Sequence, residues 1–421
     1  MEASNKPEFL RKHFYLDCGF ATRALHAGEH IGQPHFPAHT NAIFQTSTFT
    51  FETAKEGAEL FSAQREGYVY TRLGNPTVLV LEAKLAALEG AKYKIEHPER
   101  TVSSIVFSSG MAAVSSTLLG FLKPGDTLIA GKVLYGCTED FFLTVLPHFG
   151  ISVVAVDTCN LDEVEQALDQ NKNVRAVYFE TPTNPLMGVT DIAAIAALAR
   201  GKHPDCHVII DNTFATPYLQ RPLELGADVV IHSTTKYISG HGNVIGGAVV
   251  TSEQGLKEQL FHMMKDLGGC PSPFDTWLVN TGLKTLPMRM RQHCENAQRI
   301  AEYLEGHPKV SRVYYPGLKS SPYHQVAKKQ MSGFGGVLSF ELKDGYPAAE
   351  HVMNATRLFT LAVSLGCVDS LIEHPATMTH ATVPEEMRKE IGITDSLVRI
   401  SAGVEDGDDL LEDLRSALQN A

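Results

Sequence analysis

Between residues 102 and 250 the chain alternates two patterns. Short apolar runs, rich in β-branched residues, fall at 104–107, 127–130, 153–156, 176–180, 208–211, 229–232 and 246–250. Between most of them lie stretches of helical character: MAAVSSTLLGFL from 111, LDEVEQALDQ from 161 and DIAAIAALARG from 191. Apolar runs of this length, bounded by turns, suit buried strands, and the longer stretches suit helices. Such alternation predicts an α/β fold with a large, mostly parallel sheet and helices on both faces. Ligands of such sheets lie beyond the carboxyl ends of the strands, so the residues that follow each run are the ones to inspect.

The flanking regions read differently. Residues 1–75 contain HAGEHIGQPHFPAHTNAIFQTSTFTF, polar and rich in turn formers, with too little apolar pattern to bury a core alone. A segment of this kind packs on another domain or another subunit. The turn Gly74-Asn75-Pro76-Thr77 then opens a helix, VLVLEAKLAALEG, predicted to end at Gly90. Residues 76–287 form the large domain. From 288 to 421 a polar helix (MRMRQHCENAQRIAEYLEGH) leads through Tyr315-Pro316-Gly317 to strands GGVLSFEL, LAVSLG and LVRISAG. Helices AAEHVMNATRLF and DDLLEDLRSALQNA complete a smaller C-terminal α/β domain.

Composition narrows the function. The chain is 43% hydrophobic and 20% charged, as an ordinary globular protein is, and its formal net charge of -12 repels nucleic acid and anionic membranes. No uncharged apolar run approaches the roughly 20 residues of a membrane span. The N-terminal MEASNKPEFLRKHFYLDCGF lacks the apolar centre of a signal peptide. Seven scattered cysteines without CxxC read as reduced thiols of a cytoplasmic protein, and 18 histidines without HExxH offer no metal-ligand spacing.

Five short stretches carry candidate chemistry. In DVVIHSTTKYISGHGNVIGG an apolar run ends in Ser233-Thr234-Thr235 and delivers Lys236. A lysine there can form a Schiff base with a carbonyl cofactor while its hydroxyl neighbours bind a phosphate; a solvated turn lysine is the alternative. Ser108-Ser109-Gly110-Met111, between a strand and a helix, offers backbone N–H groups to an anion, although many strand–helix turns are as rich in small residues. It is neither a P-loop nor GxGxxG, which weakens ATP and nicotinamide readings. Asp211 ends a buried run 25 residues before Lys236, where a carboxylate can hold a protonated pyridine nitrogen or merely cap a turn. Two prolines fix the turn around Asn184 in ETPTNP. Arg399, inside the apolar run LVRIS, needs a partner: a substrate carboxylate or a structural ion pair.

Taken together these residues resemble the Cys/Met-metabolism branch of pyridoxal-phosphate enzymes, of fold type I (aspartate-aminotransferase-like), from Tyr70 to Arg399. The resemblance implies that Lys236 is the Schiff-base lysine and Asp211 the pyridine-nitrogen partner. It gives the phosphate to Gly110, Met111, Ser233 and Thr235, with Tyr70 and Arg72 reaching the phosphate of a neighbouring subunit's cofactor. Tyr135 would stack on the ring, Asn184 would contact the ring hydroxyl, and Arg399 with Ser364 would fix the substrate carboxylate. It further implies a homo-oligomer, a tetramer built as a dimer of dimers.

Within the branch, Leu134-Tyr135-Gly136-Cys137-Thr138 carries a cysteine where most members have glycine. Cys137, with Lys265-Asp266 in MMKDLGG, resembles the methionine γ-lyases, and a small buried residue without chemistry is the alternative reading of Cys137. The expected reaction is α,γ-elimination of L-methionine, with Lys236 as base and Tyr135 as acid. O-acetylhomoserine sulfhydrylase and cystathionine γ-lyase or γ-synthase activities remain open. Asn243 departs from the aspartate common at that place.

Overall fold

Asn75 accepts a hydrogen bond from the Thr77 N–H and Pro76 stands in the first turn, so the sequence starts a helix here by filling one open donor and removing another. In the computed structural model, which describes residues 15–29, 38–381 and 383–419, this helix spans Pro76–Glu96 and passes through Gly90. Gly90 is therefore not the end. A Cβ there would lie 2.5 Å from a Val102 methyl, so the glycine admits close packing in mid-helix. Residues 1–14, on which most of the signal-peptide reading rests, and 30–37 of the expected arm lie outside the described residues.

Among the described residues twelve strands follow: β1 (Ser103–Phe107), β2 (Thr127–Gly131), β3 (Ser152–Val156), β4 (Val174–Glu180), β5 (His207–Asp211), β6 (Val229–Ser233), β7 (Gly247–Thr251), β8 (Val310–Tyr314), β9 (Val337–Leu342), β10 (Thr360–Leu361), β11 (Leu371–Glu373) and β12 (Leu397–Ser401). All seven runs predicted before residue 250 are strands, to within two residues at either end. The chain divides into two compact units. One comprises residues 1–121, 228–235 and 243–285; the other comprises 122–227, 236–242 and 286–421.

In the first unit β7 lies between β1 and β6 and is antiparallel to both, pairing Gly247 with Phe107 on one side and with Ser233 on the other. No crossover helix separates β6 from β7, and without one a neighbouring strand returns antiparallel. In the second unit β5, β4, β2 and β3 are parallel neighbours in that order. Helices Leu161–Gln170 and Ile192–Lys202 cover a core that includes Val177, Phe179, Ile195 and Val208. Asn160 and Asp191 cap them.

A second sheet in the same unit has the order β10-β11-β12-β9-β8, and packs its own core of Leu338, Phe340, Val398 and Ile400 with the helices Leu286–Glu305, Gly345–Ala355 and Gly407–Gln419. Here the sequence pattern was incomplete. The strand expected over LAVSLG shrinks to Thr360–Leu361, while β8 and β11 were not anticipated. β8 has exposed Ser311 and Arg312, and β11 has three residues, too few to show a period.

Candidate active site

In the first unit, β1 runs through Ser108-Ser109 into the helix Gly110–Phe121, and Ser109 Oγ caps it by accepting the Ala112 N–H at 3.0 Å. Gly110 lies against the end of β6: a Cβ at 110 would come 3.0 Å from that of Ser233. Thr235, two residues on, accepts the Gly246 N–H through Oγ1 at 3.0 Å. Gly110 and Ser233 thus adjoin at a helix N-terminus, and Thr235 is held close by in the chain, a set of small donors that suits a phosphate. Met111 follows in the first helical turn. The same unit ties Arg72 to the segment Lys265-Asp266, because Arg72 Nη1 donates to the Lys265 carbonyl at 2.6 Å and Lys265 Nζ pairs with Asp266 at 2.9 Å. Arg72 also lies 5.6 Å from the ring centroid of Tyr70, which is exposed.

The second unit gathers the titratable groups. Lys236 Nζ donates to Ser364 Oγ at 2.7 Å. Burial, with the charge of Arg399 adding to it, lowers the amine to about 8, against the pull of Cys367 and Glu373. Ser364 has φ of 99°, a region few residues other than glycine occupy. Its hydroxyl serves Lys236 while its carbonyl accepts Arg399 Nη2 at 2.7 Å. This double hold explains why the predicted strand stops short of Ser364.

Arg399, fully buried on β12, has more than the single partner its sequence demanded. Nη1 bonds Asn184 Oδ1 at 2.9 Å and pairs with Glu373 Oε1 at 2.8 Å. Glu373 stands directly opposite on β11. The structural ion pair that rivalled the carboxylate reading is therefore present. Asn184 thus has its Oδ1 committed to Arg399.

Asp211 ends β5 in register with Glu180 on β4, and Oδ1 accepts the Thr213 N–H at 3.0 Å. Glu180 accepts the Tyr135 N–H at 2.7 Å. Burial, and then the charge of Asp211, push the Glu180 carboxyl well above the carboxylate range. Tyr135 precedes the short helix Gly136–Asp140, and its Oη meets the Cys137 Sγ at 3.5 Å. That contact, followed by burial, raises the phenol to about 12. Glu180, Glu373 and Thr379, whose hydroxyl donates to Glu373 at 3.0 Å, were not singled out in the sequence. Only the ETPTNP motif, which begins with Glu180, carried a signal for any of them.

Residues 21–419 match the family of Cys/Met metabolism PLP-dependent enzymes, and the chain belongs to it. It is an α/β enzyme of fold type I that uses pyridoxal 5'-phosphate, and a carbon–sulfur lyase. An L-methionine gamma-lyase of Fusobacterium nucleatum subsp. polymorphum is 47% identical, over 95% of this chain and 98% of the relative. A cystathionine beta-lyase of Lactococcus lactis subsp. cremoris is 46% identical over 90% of this chain and 93% of its own length. The crystal structure of cystathionine gamma-lyase from Lactobacillus plantarum complexed with L-serine superimposes with a TM-score of 0.86. It is 41% identical and covers 95% of this chain and 98% of that one.

Proposed function

We propose that this enzyme catalyses the α,γ-elimination of L-methionine, consuming one water and yielding methanethiol, ammonia and 2-oxobutanoate. The contact between the Cys137 thiol and Tyr135 Oη carries the reading, because it sets a small, polarisable group beside the candidate acid where most of the branch has glycine. The similarity to methionine gamma-lyases over nearly the whole chain supports it.

Bound pyridoxal phosphate supplies the electron sink that makes Cα–H and Cβ–H acidic. Gly110, Met111, Ser233 and Thr235 would hold its phosphate, and Asp211 its ring nitrogen. Arg399 and Ser364 would bind the substrate's carboxylate and fix which bond at Cα faces Lys236. An amine lowered to about 8 has a far larger neutral fraction near physiological pH than an ordinary lysine, so Lys236 can take the Cα proton and then the Cβ proton. Tyr135, held protonated, is suited to give its proton to the departing thiolate. Cys137, Lys265 and Asp266 would shape the pocket around the thioether.

The same reading makes residues 1–75 an arm that brings Tyr70 and Arg72 to a neighbouring subunit's cofactor. Residues 76–287 would be the cofactor domain and 288–421 the smaller domain, in a cytoplasmic homotetramer. No described helix is long and apolar enough to cross a membrane. A second reading, cystathionine cleavage, has the Lactococcus relative in its favour.

A substrate panel separates them: L-methionine, L-cystathionine, L-homocysteine, and O-acetyl-L-homoserine with and without sulfide. Methanethiol and 2-oxobutanoate from methionine are expected. Failure on methionine, with sulfide-dependent homocysteine formation from the ester, makes the enzyme a sulfhydrylase. Borohydride reduction of the holoenzyme and peptide mapping are expected to leave the pyridoxyl label on Lys236; a label on another lysine overturns its assignment.

A further inference from the structure

Arg399 meets Glu373 in a dry environment, with side chains 2% and 1% exposed. The pair is not saturated. Glu373 Oε1 receives both Arg399 Nη1 and the Thr379 hydroxyl, while Glu373 Oε2 and Arg399 Nε have no hydrogen-bond partner among the described residues. The arginine expected to receive a substrate carboxylate thus already has a full negative charge beside it. Adding a second carboxylate to a neutral buried pair leaves one uncompensated anion, which a low-dielectric site tolerates poorly.

We infer that Glu373 takes up a proton when a substrate carboxylate binds Arg399, so that the site exchanges one counter-ion for another. The inference rests on the reading that Arg399 holds that carboxylate. The proton comes from solvent and goes to Oε2, the oxygen without a donor. Burial already raises the Glu373 carboxyl against the opposing influence of Arg399, Thr379 and Lys236, and a second anion at Arg399 raises it further. The groups facing the pair are Lys236 and Tyr237 after β6, the latter's phenol pushed up by burial, and Thr379 and His380 on the turn after β11. Burial and Arg399 hold His380 at about 4, so it is neutral at the pH of interest and does not supply the proton. Glu373 is accordingly a positioning residue that makes affinity for the carboxylate depend on pH.

The test uses the holoenzyme and 4-(methylthio)butanoate, which has the carboxylate and thioether of methionine but no amine to titrate. Its primary amide is the control. Calorimetry in two buffers of different ionisation enthalpy is expected to show net proton uptake with the acid and none with the amide. Affinity for the acid should fall with rising pH, approaching tenfold per pH unit where one full proton is taken up. In Glu373→Gln, which keeps the shape and an acceptor for Arg399, uptake should vanish and the acid's affinity become flat with pH. Zero uptake in the unmodified enzyme, or a Glu373→Gln variant that binds the acid more weakly by the same factor at every pH, overturns the inference. Arg399→Ala distinguishes the two levels. If it binds acid and amide in the ratio of the unmodified enzyme, the carboxylate role of Arg399 fails as well; if it loses the preference for the acid, only the proton uptake was at stake.

Discussion

Two buried ion pairs, one in each unit, have the same kind of partners and opposite completeness. In the first unit Lys84, on the helix Pro76–Glu96, gives its ammonium to Glu29 Oε1 at 2.7 Å and to the Leu25 carbonyl at 3.3 Å. Glu29 also meets Lys284 at 3.1 Å, and its other oxygen accepts from Asn41. Both oxygens of this carboxylate are used. In the second unit Arg399 and Glu373 each keep a buried atom without a partner. A pair in which both carboxylate oxygens already have partners fastens the N-terminal segment to a helix. A pair with donors and acceptors in reserve costs stability, and such a cost is typical of a site that waits for another molecule.

The sharpest way to break this contrast is to delete one cation from each pair. Arg399→Ala is expected to lower kcat/KM for methionine by roughly 10^2 to 10^3, the loss of a buried charge-assisted contact of a few kcal/mol. Lys84→Ala is expected to cost about 3 kcal/mol of unfolding free energy, because it leaves a buried carboxylate with fewer partners. The folded fraction of the Lys84 variant should turn over methionine almost normally. Urea unfolding and initial rates on the same samples decide the matter. A Lys84 variant that is stable but inactive would dissolve the distinction.

Glu82 probes a third condition, a largely buried acid supported by a backbone N–H and the charge of a lysine. Burial lifts its carboxyl to about 7, against the Val106 N–H at 3.2 Å and the charge of Lys257. The native state therefore keeps a proton that the unfolded chain, near 4.5, has already lost. Its stabilising contribution is complete below 4.5 and is lost as pH rises through about 7. Glu82→Gln should gain on the unmodified protein between pH 4.5 and 8, by up to about 3 kcal/mol. Unfolding curves at several pH values measure it; a constant difference across that range contradicts the account.

How far the sequence reaches differs between local runs and contacts made across long stretches of chain. Strands β1 to β7 were legible because each is a short apolar run bounded by turn formers, buried in all but the edge strand β3, and Lys236, Asp211 and Gly110 stood out because they end or follow such runs. The Lys236–Ser364 bond spans 128 positions and the Arg399–Asn184 bond 215, and no local period encodes either. Glu373 was missed because β11 has three residues and because a glutamate reads as solvent-facing until its arginine is placed opposite. Gly90 misled for a different reason: a helix-ending residue and a close-packing residue are the same letter.

The smallest expected effect concerns Cys137, and it tests whether the reserve in the site extends to substrate choice. Its thiol bonds Tyr135 Oη at 3.5 Å, and this contact is the largest of the influences that raise the phenol to about 12. Cys137→Gly removes both the contact and the polarisable surface offered to a thioether methyl. The phenol should then move down toward its ordinary value, so the alkaline limb of the methionine pH–rate profile, where the acid is lost, should shift to lower pH. The ratio of kcat/KM for methionine to that for cystathionine should fall by about tenfold, the worth of a small apolar contact in a pocket. The fold should tolerate the change, since the Cys137 side chain is exposed in the first turn of its short helix. A variant whose ratio and alkaline limb both match the unmodified enzyme would reduce Cys137 to a surface residue, and the preference for methionine would then have to be sought around Lys265 and Asp266.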